Sequence, residues 1–462
     1  MMFEVLEKCL QSKITDQADL VHLRGQKRQI TLCTVKNGVI EDFSNVLLSG
    51  SSSRVLLNGT WGFSSTNILD VKSIEQSLID AVKLAKASET SKKQPITLEP
   101  VKEVKVETST PIKKHFRDLS SEEILKIPLD AYKGAKDAGA NISDITASFI
   151  TVEDNKFFLN SEGSRINEKI SRVQLFVDVI AKKNSTICPA SEMVGYSGGL
   201  EIFEEKIPYS VGKTAGEKAI RLLEVQTPPS GKFKVLIDPA LCATLLHEAI
   251  GHPLEADLAM TGGGFSDRIG ELVSSELITI YDDGQVQGGL GFFAYDDEGI
   301  ECKRTILIEN GILKSYMHDL TSASMSDANP TGNSHAWDYS VEPLIRQTNI
   351  GIEAGDHSFE EMIEDVKEGL FLKGTFGGQA DVSGDFTFGF QNSYWIRDGQ
   401  LAEELRGANV AGNAIEVFKT IDAVGQESIL RPGACGKGQW AIQGRIVPAI
   451  RCEIMVGGTG GK

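Results

Sequence analysis

The chain has 462 residues, 41% of them hydrophobic and 24% charged, a soluble globular composition that exceeds one ordinary core and points to two units of about 200 residues each. Its 47 basic and 64 acidic residues give a formal charge of -17, which repels phosphate backbones and excludes nucleic acid as the expected partner. The opening MMFEVLEKCLQSKITDQADL has no secretory apolar run, and no window reaches the ~18 apolar residues of a membrane span, so a cytoplasmic protein without membrane contact is expected.

Short alternating bursts over residues 18–65, punctuated by Gly and Asn, predict antiparallel sheet. Residues 74–87 carry apolar side chains at helical spacing. The Lys-, Glu-, Thr- and Pro-rich stretch that follows, as far as Lys114, loses periodicity and reads as an exposed connection. Ser120 or Ser121, followed by two acids, caps a helix running to about Ala138, with a kink expected at Pro128. Strands are predicted at 142–151, 155–160 and 169–181, a helix at 211–224, and a linker in VQTPPSG at 225–231. From Lys232 the text turns Gly-rich and strand-rich, with helical stretches in LLHEAIGH, FEEMIEDVKEGL and ANVAGNAIEVFKTIDAVG. The expected fold is therefore α+β with two domains: residues 1–225, a mixed sheet-and-helix half, and residues 226–462, a β-rich half that carries the chemistry.

Seven cysteines (Cys9, Cys33, Cys188, Cys242, Cys302, Cys435, Cys452) are odd in number, scattered and without CxxC pairing. Reduced, buried thiols are expected rather than a disulfide framework.

The strongest chemical signal lies in residues 234–257, KVLIDPALCATLLHEAIGHPLEAD. An apolar strand at 235–237 leads into a helix in which Leu241, Leu245 and Leu246 face a core while His247 and Glu248 stand together. Two imidazoles and an acid so close in sequence are a metal-ligand composition, because neutral imidazole suits zinc and a neighbouring carboxylate can deprotonate water. The spacing is HExxxH rather than HExxH. On a straight α-helix residues i and i+5 stand about 140° apart, against about 40° for i and i+4, so His247 and His252 can share a metal only across a distorted turn. Gly251 and Pro253 predict that distortion: glycine permits unusual dihedrals, and a residue preceding proline leaves the α region.

The segment LLHEAIGHPLEAD resembles the metal-binding motif of the TldD/PmbA family of metallopeptidases, in particular its catalytic TldD-like branch. The resemblance continues through YDDG at 281–284, YDDEG at 295–299, PTGN at 330–333, RQTNI at 346–350, FGGQADVSGDFTF at 376–388, CGKGQ at 435–439 and VGGTG at 456–460. It implies that zinc (Zn2+) is held by His247, His252 and Cys435, with Glu248 free to act as general base. Three protein ligands leave a fourth tetrahedral position open, as in a catalytic rather than a structural site. The implied reaction is hydrolysis of unfolded or leader-like peptides. The implied partner is a related metal-free PmbA/TldE-like subunit in a heterodimer, with a homodimer as the other arrangement.

After CGKGQ the chain departs from the family's usual Val-Pro-Val-Gly-like strand and reads WAIQGRIVPAIRCEIMVGG, so Trp440 and Arg445 alter the substrate-facing contour. Cys452 is a competing ligand by its nearness in sequence. Asp282, Asp283, Asp296, Asp297 and Glu298 read as solvated hairpin tips, His318 and His335 as ordinary core or surface residues, and Asn333 as a turn residue or a partner for a peptide backbone. The alternative function is a non-catalytic, zinc-stabilised regulatory or binding subunit. A closed structural zinc site would need a fourth ligand such as Cys452 or Cys242.

Overall fold

The computed structural model of the chain describes residues 2–91 and 95–458. Three residues of the predicted connection, 92–94, and the last two of VGGTG, Thr459 and Gly460, lie outside the described residues.

The first half is built on one seven-stranded sheet. Strands Leu20–Lys36, Val39–Leu57 and Thr60–Thr66 form an antiparallel meander, and Leu20–Lys36 pairs on its other side with Ile142–Asn160. That strand pairs in turn with Arg165–Lys183, and Thr186–Ser197 follows. The runs predicted at 142–151 and 155–160 are one continuous strand. Lys105–Ser109 is a strand within the stretch read as exposed connection. It pairs parallel to Arg165–Lys183 and exposes alternate side chains, so its polar alternation carries little apolar signal.

Helices cover the sheet at both ends. Helix Val71–Ser88, capped by the Asp70 carboxylate accepting from Ser73 N–H at 2.7 Å, buries Ile74, Leu78 and Ala81 with Leu6 of helix Met2–Leu10 against Leu23 and Val55. Helix Ser121–Asp137 begins with a reciprocal Ser120–Glu123 capping box and continues through Pro128. It packs on helix Pro208–Arg221 closely enough that a Cβ at Gly212 would stand 1.8 Å from the Ala131 carbonyl oxygen. Only glycine permits that approach. The two helices cover Phe149, Val173, Leu175 and Val177.

The second half is β-rich. A nine-stranded sheet runs through Gly231–Ile237, flanked by Ile450–Gly457 (antiparallel) and Glu368–Lys373 (parallel), and a six-stranded sheet ends in the hairpin Ile429–Lys437 and Gln439–Val447. Helix Pro239–Leu245 packs into their shared core with Leu241, Leu245, Leu246, Ile350, Leu372 and Ile454. FEEMIEDVKEGL divides into helix Phe359–Ile363 and the start of strand Glu368–Lys373. The chain is thus α+β, with a mixed first half and a strand-dominated second half.

Polar contacts join the halves, and they overturn the reading of the adjacent acids. Asp282, Asp296, Asp297 and Glu298 are buried, not solvated. Cations and dipoles reach them there: Lys156 pairs with Asp297 at 2.8 Å, Arg54 with Glu298, and Thr348 donates its hydroxyl to Asp282 at 2.6 Å. These partners lie elsewhere in the sequence, so local turn chemistry could not reveal them. Asn333 is likewise an internal tie, donating to Asp282 and to the Arg346 carbonyl at 2.8 and 2.9 Å.

Candidate metal centre

Asp238 caps the helix of the centre by accepting from Leu241 N–H at 2.8 Å, and Pro239 opens its first turn. The helix then widens into a π-turn over Leu246–Gly251, in which His252 N–H bonds back to His247 C=O. An i→i+5 bond stacks residues five apart, so the rings of His247 and His252 lie with centroids 4.5 Å apart. The expected widening is present, but not for the expected reasons. Gly251 has helical dihedrals (φ -59°, ψ -54°), as does His252 before Pro253 (φ -61°, ψ -47°), and the chain leaves the helix only at Glu255. Glycine at 251 leaves room for Gln347: a Cβ there would stand 2.3 Å from Gln347 Oε1 and displace it.

Cys435 reaches the same place from the 429–437 strand, where it pairs with Ala441. One ligand atom each from His247, His252 and Cys435 lies within 4.8 Å of the others. Glu248 stands beside both rings, with carboxylate oxygens 3.7 Å from His247 Nε2 and 3.9 Å from His252 Nε2. Cys452 is elsewhere, buried in the core on strand Ile450–Gly457 opposite Val235. His318 bonds Ser322 and His335 stacks on Phe293, and neither joins the group.

Surrounding side chains orient the donors. His247 Nδ1 donates to Gln347 Oε1 at 2.7 Å and His252 Nδ1 to Glu255 Oε1 at 3.1 Å, which turns each Nε2 toward Glu248. Gln443 Nε2 lies 3.2 Å from His247 Nε2. Lys437 bridges Glu255 and Asp257 at 2.5 and 2.8 Å, and Arg346 donates to Cys435 Sγ at 2.5 Å. No local pattern ties these partners to the histidines. Arg346, Gln347 and Lys437 nonetheless lie inside the quoted RQTNI and CGKGQ segments, and Glu255 lies one turn beyond His252.

Burial dominates the electrostatics. It drives the His247 imidazole well below its ordinary value, helped by the Arg445 charge, and it raises the Glu248 carboxyl. At His252 burial opposes the cation, but Glu255 and Cys435 outweigh it and lift the value to about 10. Glu255 is also opposed by burial, yet His252 and Lys437 hold its carboxyl below the usual range. A neutral imidazole, a second imidazole facing acids, a thiol and a free carboxylate fit the donor set of zinc, with each His Nδ1 held by a hydrogen bond as at ligating histidines.

A cavity of about 480 Å³ opens onto Glu248, His252 and Cys435. Leu258, Val382 and Trp440 form apolar parts of its wall. Two edge strands border it, Gly378–Ala380 at the end of the nine-stranded sheet and Ile429–Lys437 at the end of the six-stranded one.

Comparison with known proteins agrees along the chain. Family models match PmbA/TldA metallopeptidase domain 1 over residues 21–88, the central domain over 114–223 and the C-terminal domain over 230–458. A metalloprotease of Methanocaldococcus jannaschii is 38% identical over 94% of both chains. A zinc metalloprotease TldD homolog of Saccharolobus solfataricus is 29% identical over 92% of both. The crystal structure of TldE from Thermococcus kodakarensis superposes with a TM-score of 0.80 at 19% identity, covering 98% of this chain and 99% of that one, and so shares the fold. The widened His-Glu turn, the facing cysteine strand and this agreement over nearly the whole length place the chain in the TldD/PmbA metallopeptidase family.

Proposed function

We propose that the chain is a zinc-dependent peptidase whose metal is held by His247, His252 and Cys435, with Glu248 as general base. The observation that carries this reading is the π-turn, which brings two histidines five residues apart onto one face against a cysteine more than 180 residues later. Zinc bound by two imidazoles and a thiolate supplies Lewis acidity toward a peptide carbonyl and acidifies water. Glu248 takes a proton from the attacking water and returns it to the leaving amine. Burial that raises its carboxyl brings it nearer to that task, and Gln347 and Glu255 hold the imidazoles in position.

The substrates are unfolded or leader-like peptides. The edges of Gly378–Ala380 and Ile429–Lys437 offer unpaired main-chain groups beside Glu248, a geometry that grips an extended peptide with little demand on its side chains. The chain works in the cytoplasm, in keeping with seven free, buried cysteines and with the absence, among the described residues, of a helix long and apolar enough to cross a membrane. Its partner is a related metal-free PmbA/TldE-like subunit, a reading supported by the fold shared with TldE, or else a second copy. The domain boundary is proposed at 225/226, since every strand of the first sheet ends by Ser197 and every strand of the other sheets starts at or after Gly231.

Glu248→Gln tests the reading. It keeps size and hydrogen bonding but cannot take the proton, so the protein is expected to stay folded and zinc-loaded while cleavage of an unstructured peptide falls ~10² to 10⁴-fold. Wild-type turnover would remove Glu248 from the mechanism, and joint loss of zinc and turnover would make it a ligand.

A further inference from the structure

A second, much smaller cavity of about 30 Å³ lies behind the metal centre, walled by Arg28, Arg172, His335, Trp337, Arg346 and Trp440. Its cations are only partly paired: Asp154 and Glu168 act on Arg172, and Glu255 on Arg346, from beyond ion-pair distance. Arg28 is matched by Asp154 at 2.5 Å, and Lys156, which also borders the cavity, by Asp297 at 2.8 Å. Arg172 and Arg346 are only 2% and 1% exposed, yet no carboxylate of the described residues lies within ion-pair distance of either. Arg172 donates to the carbonyl oxygens of Leu290 and Phe292, at 2.7 and 3.0 Å, and Arg346 to the Gln439 carbonyl and Cys435 Sγ.

Two further nitrogens are idle. Arg346 Nε and His335 Nδ1 are buried and have no hydrogen-bond partner. Buried guanidinium groups short of a direct ion-pair partner and buried nitrogens without partners are both costly, and an oxygen anion in the cavity they wall would relieve them. One water needs ~10 to 15 Å³ of such space, so about 30 Å³ has room for the two oxygens of a carboxylate.

The cavity communicates with the candidate metal centre through its own walls. Arg346 touches Cys435, Gln347 borders the cavity and holds His247, and Trp440 lines both this cavity and the larger one. Trp440 is 60% exposed, which leaves the mouth beside it open.

We propose that this cavity is a binding site for one carboxylate group. Two sources share that chemistry: the C-terminal carboxylate of a bound peptide, an assignment that rests on the peptidase reading above, or a small free carboxylate such as acetate. In the first case the site measures distance from the chain end and directs cleavage toward it.

The test uses the full chain stripped of metal with a chelator, so that binding is read without hydrolysis. Tryptophan fluorescence, to which Trp337 and Trp440 contribute, is titrated at constant ionic strength with acetate, with a short alanine-based peptide ending in a free carboxylate, and with its C-terminal amide. The free-acid peptide is expected to bind at least about tenfold more tightly than the amide, the range of a charge-assisted buried hydrogen bond, and acetate to compete with it. Arg172→Met is expected to weaken both about tenfold. Should that variant not fold, the acid and amide pair on the wild-type chain still decides. Saturation by acetate with equal binding of the two peptides assigns the pocket to a free carboxylate. Absence of any saturable change with acetate or the free-acid peptide overturns the proposal. A metal-loaded chain that cleaves no peptide, yet saturates with acetate, counts against the peptidase reading and leaves the pocket standing.

Discussion

Gly251→Ala isolates the coupling between backbone packing and metal affinity. The added Cβ would lie 2.3 Å from Gln347 Oε1 and 2.4 Å from its Cδ, where real Cβ contacts essentially never fall below 3.0 Å. The Gln347 amide must therefore retreat by about 0.7 Å, a displacement that, taken along its 2.7 Å bond to His247 Nδ1, stretches it to about 3.4 Å, beyond a working hydrogen bond. The dihedrals at 251 are helical, so alanine itself is not strained and gains up to ~1 kcal/mol of helix propensity. That gain offsets the ~1 kcal/mol lost with the hydrogen bond, and global stability should change little. Zinc affinity should not be spared, because the loss of a partner that orients a ligating histidine typically costs ~10 to 100-fold. Competition against a chromophoric chelator gives the affinity, and thermal unfolding with excess chelator gives the apo stability. A variant that unfolds normally and binds zinc within about twofold of wild type would refute the reasoning.

Cys435→Ala should lose most of its zinc by elemental analysis, because only two imidazoles remain, whereas Cys452→Ala, altered in the core opposite Val235, should keep its metal. Arg54→Met strands the buried Glu298 carboxylate and should cost ~3 to 5 kcal/mol in denaturant unfolding, and a loss under ~1 kcal/mol would show that the pair is dispensable. Burial raises Glu168 from 4.5 to about 7, so its contribution to stability is complete below pH 4.5 and is lost as pH rises through 7. Glu168→Gln should therefore gain in melting temperature relative to wild type across that window, and a constant difference between pH 4 and 8 would contradict the assignment.

Local signals were enough for the elements whose stability is local. The cap at Ser120, the 74–87 periodicity and the alternating strands of 18–65 appear where the pattern puts them, because hydrogen bonds and amphipathic faces within a few residues decide them. The widened turn was legible for a similar reason, since two histidines five apart beside an acid are awkward in any regular helix. Strand Lys105–Ser109 was not legible, because its edge position buries almost nothing and leaves no apolar code.

What the sequence by itself determined, then, is the alternation of elements in both halves and the grouping of His247, Glu248 and His252, to which the family resemblance of CGKGQ adds Cys435. The tertiary structure alone decided how they meet. Gln347 stands 100 residues from His247 and Gln443 196 residues away, and it is the first of these that a side chain at 251 would displace. The same holds for the acids at 282 and 296–298, which look like solvated turns until Arg54, Lys156 and Thr348 are folded against them. The physical reason is common to both. Burial of a charge or an imidazole is tolerable only when distant chain supplies its counter-charge or hydrogen bond, and no local window of sequence contains that partner.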